Sequence, residues 1–244
     1  MNRISISLSL ILAFSALTVT PVLADQPTVG TLAKQEEREV KNFNGVALAG
    51  PIHVVITLGA TESLRFEGDA EAISTLITEV EGTTLVIRPK NSWTSWGRKY
   101  QDKKITAYVS AKSIKHLTCS SSGSIVVNGV LKSSEITTTL SGSGSISANV
   151  DVEKYTGIVS GSGSLNVAGS ANSASVVLSG SGSFSKKGGF SATDLSAAVS
   201  GSGSIYANVS ESIEAAISGS GSINYSGNAK VEKRVTGSGR VRKI

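Results

Sequence analysis

Ser141-Gly142-Ser143-Gly144-Ser145-Ile146 is the stretch to which the chain keeps returning. Close copies begin at Ser160, Ser179, Ser200 and Ser218, with degenerate ones at Ser120 and Thr236. The steps between starts are 21, 19, 19, 21, 18 and 18 residues. Gly and Ser alone would suggest a flexible linker, but a linker holds no fixed apolar positions. Here Leu140, Val159, Leu178, Val199, Ile217 and Val235 stand directly before a block. Ile125, Ile146, Leu165, Phe184, Ile205, Ile223 and Val241 stand at its sixth position. Between blocks the chain alternates, as in Ile146-Ser147-Ala148-Asn149-Val150 and Ser175-Val176-Val177-Leu178, the pattern of a strand with one buried face.

A unit of about 20 residues with short strands cannot bury its apolar face alone, whereas stacked units make a continuous core. The fold predicted is all-β: a single-stranded parallel β-helix, or β-solenoid, with coils of about 20 residues. All four Pro lie at or before Pro89, outside the repeats, as a hydrogen-bonded ladder requires. Ala148, Ala198 and Ala216 are expected to point inward and suit a narrow interior. The Ser-Gly blocks are read as repeated corners with a Ser ladder, the alternative being a ligand-binding stripe. Glu135, Asp151, Glu153, Lys154, Asp194, Glu211, Glu214, Glu232 and Lys233 mix signs late in the repeat and are read as a solvated edge.

Working outward, residues 120–244 form the repeat half and 38–119 a less regular opening half of one solenoid domain. Strands are expected at Val46–Leu48, Ile52–Ile56, Leu64–Phe66, Thr84–Arg88 and Ile105–Val109. Asp69 to Thr78 reads as a short helix capped by Asp69, with Ile73, Leu76 and Ile77 on one face. Residues 25–37 are a flexible lead-in. Residues 1–24 read as a signal peptide, with Arg3 before an apolar run and cleavage before Asp25. The mature chain is then exported, to the periplasm, the outer surface or beyond, and carries no transmembrane helix.

Composition narrows the chemistry. Among 244 residues the net charge is +5, an excess expected to be spread along the chain and giving no support to nucleic-acid binding. One Cys cannot form an intramolecular disulfide, and with two His it cannot build a multi-Cys/His zinc site. Cys119 reads as a small buried residue, and His53 and His116 as structural. The Gly-Ser blocks lack the Lys of a phosphate loop, the following helix of a dinucleotide fingerprint and the Asp of a calcium-binding roll. No catalytic residue, metal or cofactor is expected.

One segment differs from the rest. Asn91 to Tyr100 holds both Trp residues beside Arg98 and Lys99, between two expected strands. Trp beside Arg has the composition of a recognition loop, so Trp93, Trp96, Arg98 and Tyr100 are candidate contacts for an envelope or cell-surface glycan or protein. The alternative is that the Trp residues cover an end of the solenoid.

Phe43-Asn44-Gly45-Val46, Ile52-His53-Val54-Val55-Ile56, Gly82-Thr83-Thr84-Leu85-Val86-Ile87 and the Ser-Gly blocks, in that order, resemble the head GIN domain family. Its members are exported bacterial proteins described as heads of autotransporter adhesins. The resemblance runs from about residue 38 to the C-terminus and implies a parallel β-helix and a cell-envelope setting. It brings no catalytic residues with it. Two functions follow: a non-enzymatic, adhesin-like envelope scaffold or binding module, or a polysaccharide lyase or hydrolase on a β-helix, for which pairs such as Asp151 and Glu153 would serve.

Overall fold

The computed structural model describes residues 34–100, 102–186 and 189–244. The expected signal peptide, and the lead-in up to residue 33, lie outside the described residues. The opening half holds β1 (Lys34–Arg38), β2 (Gly45–Ala49), β3 (His53–Leu58), β4 (Ser63–Gly68), helix α1 (Ala70–Ser74), β5 (Leu76–Glu81) and β6 (Thr84–Pro89). Helix α2 (Trp93–Lys99), β7 (Ile105–Ala111) and β8 (His116–Ser120) complete it. The repeat half is β9 (Ser124–Gly142), β10 (Ser145–Gly161), β11 (Ser164–Gly180), β12 (Ser183–Phe184), β13 (Phe190–Gly201), β14 (Ser204–Gly219), β15 (Ser222–Ser226), β16 (Lys230–Gly237) and β17 (Arg240–Lys243).

The strands of the repeat half stack in parallel as a β-solenoid of about seven turns with coils of roughly 19 residues. Register follows the repeat. Ile125, Ile146, Leu165, Phe184, Ile205, Ile223 and Val241 lie one over the next. So do Leu140, Val159, Leu178, Val199, Ile217 and Val235. Ile125 to Ile223 in the first column and Leu140 to Ile217 in the second are buried and form the core. One-residue slips are disfavoured because each would turn a whole column to water.

That parity corrects one expectation. Ala148 is buried, but Ala198 is only half-buried and Ala216 exposed. They stand next to the inward Val199 and Ile217, so their side chains point out. On that limb the inward alanines are Ala174, Ala197 and Ala215. The room that small residues leave is filled by Tyr155, Phe184 and Phe190, whose ring centroids lie 5.2–5.7 Å apart. Gly157 makes space for the Tyr155 ring, since a Cβ there would stand 3.0 Å from its Cε1. The Tyr155 hydroxyl is paired inside the core with Thr138 Oγ1, and burial holds it well above the usual phenol range.

The Ser-Gly blocks are the corners. Gly161 adopts φ +123°, and a Cβ on it would fall 2.5 Å from the Gly142 carbonyl oxygen of the preceding rung. Only glycine meets both demands. The same oxygen accepts from Ser162 N and Gly163 N at 3.0 Å each, so the ladder continues around the bend. The expected Ser ladder is present in part: Ser164 with Ser183, and Ser204 with Ser222, at 3.0 Å between hydroxyls.

The opening half is more than larger rungs of the same kind. Strands β2 and β3 pair in parallel with β8 and β9 on one side and with β6 and β7 on the other. Beyond these the direction changes: β5 is antiparallel to β6, β4 to β7 and β1 to β4. Antiparallel strands thus cover that end of the stack. The helix expected over Asp69–Thr78 is one turn only. Asp69 caps α1 by accepting from Ala72 N at 3.0 Å, as read, but Leu76 already begins β5. The β-branched Ile77, Thr78 and Val80 take up sheet pairing with β6, which overrides local helix propensity. Arg38 closes the junction, donating to the Ile73 and Leu76 carbonyls at 2.9 and 2.8 Å over the face of Phe66.

Candidate binding surfaces

Helix α2 occupies the place where later rungs have a Ser-Gly corner, because β6 and β7 stack on β2 and β3 while residues 90–104 bridge them. Trp96 and Tyr100 stand four residues apart on one face of this turn, and both are buried. Their rings lie 5.1 Å apart. Trp96 Nε1 donates to Thr75 Oγ1 at 2.7 Å, and the Tyr100 hydroxyl donates to Glu71 at 3.0 Å. Lys99 Nζ reaches the same carboxylate at 2.7 Å. Hydrogen bonds from Lys99 and Tyr100 hold Glu71 below the usual carboxylate range. Arg98 is exposed. Trp93 opens the helix, and its side chain lies outside the described residues. Of the four candidates, Trp96 and Tyr100 come together against α1, and Arg98 faces solvent.

A second surface was not singled out in the sequence. On the sheet limb before each corner, Thr137, Thr156, Ser175 and Ser196 form one outward column. Thr139, Ile158, Val177 and Ala198 form the next. Ile158 and Val177 are 37% and 40% exposed, values that mark them as surface rather than core. The face is flat, short-chained and uncharged over four rungs. The signal lay in the alternation itself: once Val176 and Leu178 are placed inside, Val177 is outside. From Val177 and Ala198 of this face a shallow, mostly apolar hollow of about 350 Å³ continues past Ala216 to Arg234.

The charged residues read as an edge are exposed, and cross-rung pairs lace them: Lys132 with Asp151 at 3.6 Å and Lys154 with Glu135 at 3.4 Å. The positive excess is not spread as expected. Residues 230–244 hold six basic residues against Glu232, an excess equal to that of the whole chain. His53 heads the serine column, its Nδ1 2.6 Å from Ser124 Oγ. Cys119 is buried, and burial pushes its thiol up to about 11. Among the described residues no three His, Cys, Asp or Glu side chains converge as a metal site, and no helix is long and apolar enough to cross a membrane.

Comparison with known proteins agrees with this architecture. A crystal structure of a "putative adhesin" from Bacteroides fragilis superposes with a TM-score of 0.76 at 21% identity, covering 87% of this chain and 97% of its own. A "putative lipid binding protein" from Parabacteroides distasonis gives 0.70 at 22% identity, with 88% and 98% covered. A "putative adhesin" from Parabacteroides merdae gives 0.62 at 19%, with 88% and 97% covered. At these identities the likeness is one of fold. Comparison with curated proteins finds no match. A family profile described as "Putative auto-transporter adhesin, head GIN domain" matches residues 42–229, from the start of the parallel stack to the edge of its last rung. The chain belongs to the head GIN domain family.

Proposed function

We propose that the chain is an exported, non-enzymatic, adhesin-like binding module of the bacterial envelope, whose solenoid face holds an extended partner. One observation carries this: the register-matched strip from Thr137 and Thr139 to Ser196 and Ala198, flat, uncharged and backed by a rigid core. Parallel strands repeat about every 4.8 Å, so four rungs give a ruled surface about 15 Å long. A polymer with its own repeat meets equivalent groups on successive rungs. Long charged side chains, which would hold such a partner off, stand outside this strip. Family membership supports the envelope setting.

The apolar hollow beside the strip favours a second reading, an acyl chain as ligand, in line with the words attached to the Parabacteroides distasonis relative. The test is an array of envelope and extracellular glycans and proteins, probed with the chain and with Val177→Lys, with a fatty acid as competitor. Array binding lost in Val177→Lys and untouched by fatty acid supports the polymer reading. Displacement by fatty acid supports the lipid reading. Release of product from any glycan, abolished by Asp151→Asn or Glu153→Gln, would overturn the non-enzymatic reading. Protease shaving of intact cells tests the location, digestion being the expected result for a surface module.

A further inference from the structure

The inward columns of the solenoid change character at one rung. The column Thr138, Gly157, Val176, Ala197 and Ala215 is buried throughout and is followed by Lys233. On the other limb the half-buried Tyr225 is followed by Lys243. Ile217 is 3% exposed, and Val235 beneath it is 40% exposed. An ammonium cannot be covered by a further aliphatic rung without a partner, so the residue types mark an open face. Strands β16 and β17 pair with β14 and β15 on one side, and on the other they have no strand partner among the described residues. The opposite end of the stack is covered by antiparallel strands.

Open strand edges are often blunted by a lysine or two. Here the rung carries Lys230, Lys233, Arg234, Arg240, Arg242 and Lys243, with Glu232 as its one acid. Glu232 is engaged by Lys230 at 3.5 Å, and Arg242 bonds to Asn224 at 2.8 Å. Two such edges repel each other, so a second copy does not pair with this one edge to edge. The same charge attracts an acidic strand.

We infer that the edge formed by β16 and β17 is an acceptor for an extended acidic peptide segment, which adds as the next rung. A polypeptide strand supplies three things at once: backbone groups for the open ladder, apolar side chains for Val231, Val235 and Val241, and carboxylates for the surrounding cations. A glycan or a lipid headgroup supplies only the last. Arg234 also borders the hollow beside the flat face, whereas Lys233 does not, so Val177→Lys and Lys233→Glu tell the two surfaces apart.

The test uses the full chain and a fluorescein-labelled heptapeptide of Glu with Val at its second and sixth positions, so that the two Val meet Val231 and Val235 and the central carboxylate meets Lys233, read by anisotropy. A second peptide has Pro in place of the first Val, which keeps the charge and breaks the ladder. The expected result is saturable binding of the first peptide, at least tenfold weaker binding of the second, and at least tenfold weaker binding of the first to Lys233→Glu and to Arg234→Glu. Both substitutions lie at exposed positions, and an unchanged melting curve shows that the variants fold. No binding of the first peptide overturns the inference. Equal binding of both peptides overturns it in favour of charge alone. Capture of the chain by phosphatidylglycerol vesicles without peptide binding overturns it in favour of a membrane, and concentration-dependent self-association without peptide binding in favour of a second copy.

Discussion

A Cβ on Gly161 has nowhere to go: the backbone is left-handed, and the Gly142 oxygen stands 2.5 Å from the position it would take. Gly161→Ala is therefore expected to cost on the order of 3 kcal/mol, the upper range for an L-residue held in such a conformation. The neighbouring Ser162 is exposed, and Ser162→Ala is expected to change stability by less than about 0.5 kcal/mol. Urea midpoints of the two variants check the contrast, and equal midpoints would remove the structural role of the corner glycine. Cys119 gives a second prediction at this scale. Its thiol is raised to about 11 by burial, above the ordinary thiol value of 9.0. The folded state therefore keeps a proton that the unfolded state loses between those values. The stability it contributes is whole below pH 9 and is lost as pH rises through about 11. Cys119→Ala is expected to flatten the fall in stability over that window, and native Cys119 is expected to resist alkylation at pH 7 until the chain unfolds.

At the scale of elements, α2 shows why a composition does not settle a role. Trp beside Arg is compatible with a recognition loop and with a cap. Only the packing of Trp96 on Thr75, and of Tyr100 on Glu71, separates the residues of this segment into buried and exposed. Trp96→Ala is expected to lower stability by about 3–5 kcal/mol, the usual loss for a buried Trp. Arg98→Ala is expected to leave the melting temperature unchanged. If Trp96→Ala melts with the wild type, α2 does not hold the end of the stack. Helix α1 carries a related lesson. Its cap was legible because Asp69 bonds locally, and its shortness was legible too. Gly82-Thr83 is a two-residue hairpin turn, and β6 directly after it draws Leu76–Glu81 into the sheet, which the apolar spacing of Ile73, Leu76 and Ile77 had masked as a helix face.

At the scale of the molecule, the stack is one-dimensional, each rung being held by its neighbours. Its two ends differ: β1, β4 and β5 cover one, and at the other β16 and β17 pair, among the described residues, with β14 and β15 alone. Opening is expected to begin where a rung has one neighbour rather than two. Hydrogen exchange should therefore release the amides of β16 and β17 first and those of β10 and β11 last. The opposite order, or exchange of all rungs together, would contradict this reading of the stack.

The sequence by itself determined the solenoid, its period, its corners and its family, because each of these repeats. Seven copies of one local pattern average out the ambiguity of any single copy, and parity along a strand needs no knowledge of distant residues. It also determined which columns are apolar, but Ala198 and Ala216 were placed on the wrong side because alanine is small enough for either face. The flat strip at Val177 and the basic cluster at 230–244 were legible in parity and composition, whereas tertiary structure alone decided the antiparallel pairing of β4 with β1 and β7 and the burial of Trp96 and Tyr100. These are contacts between segments that occur once, and non-repeating contacts leave no period along the chain to read.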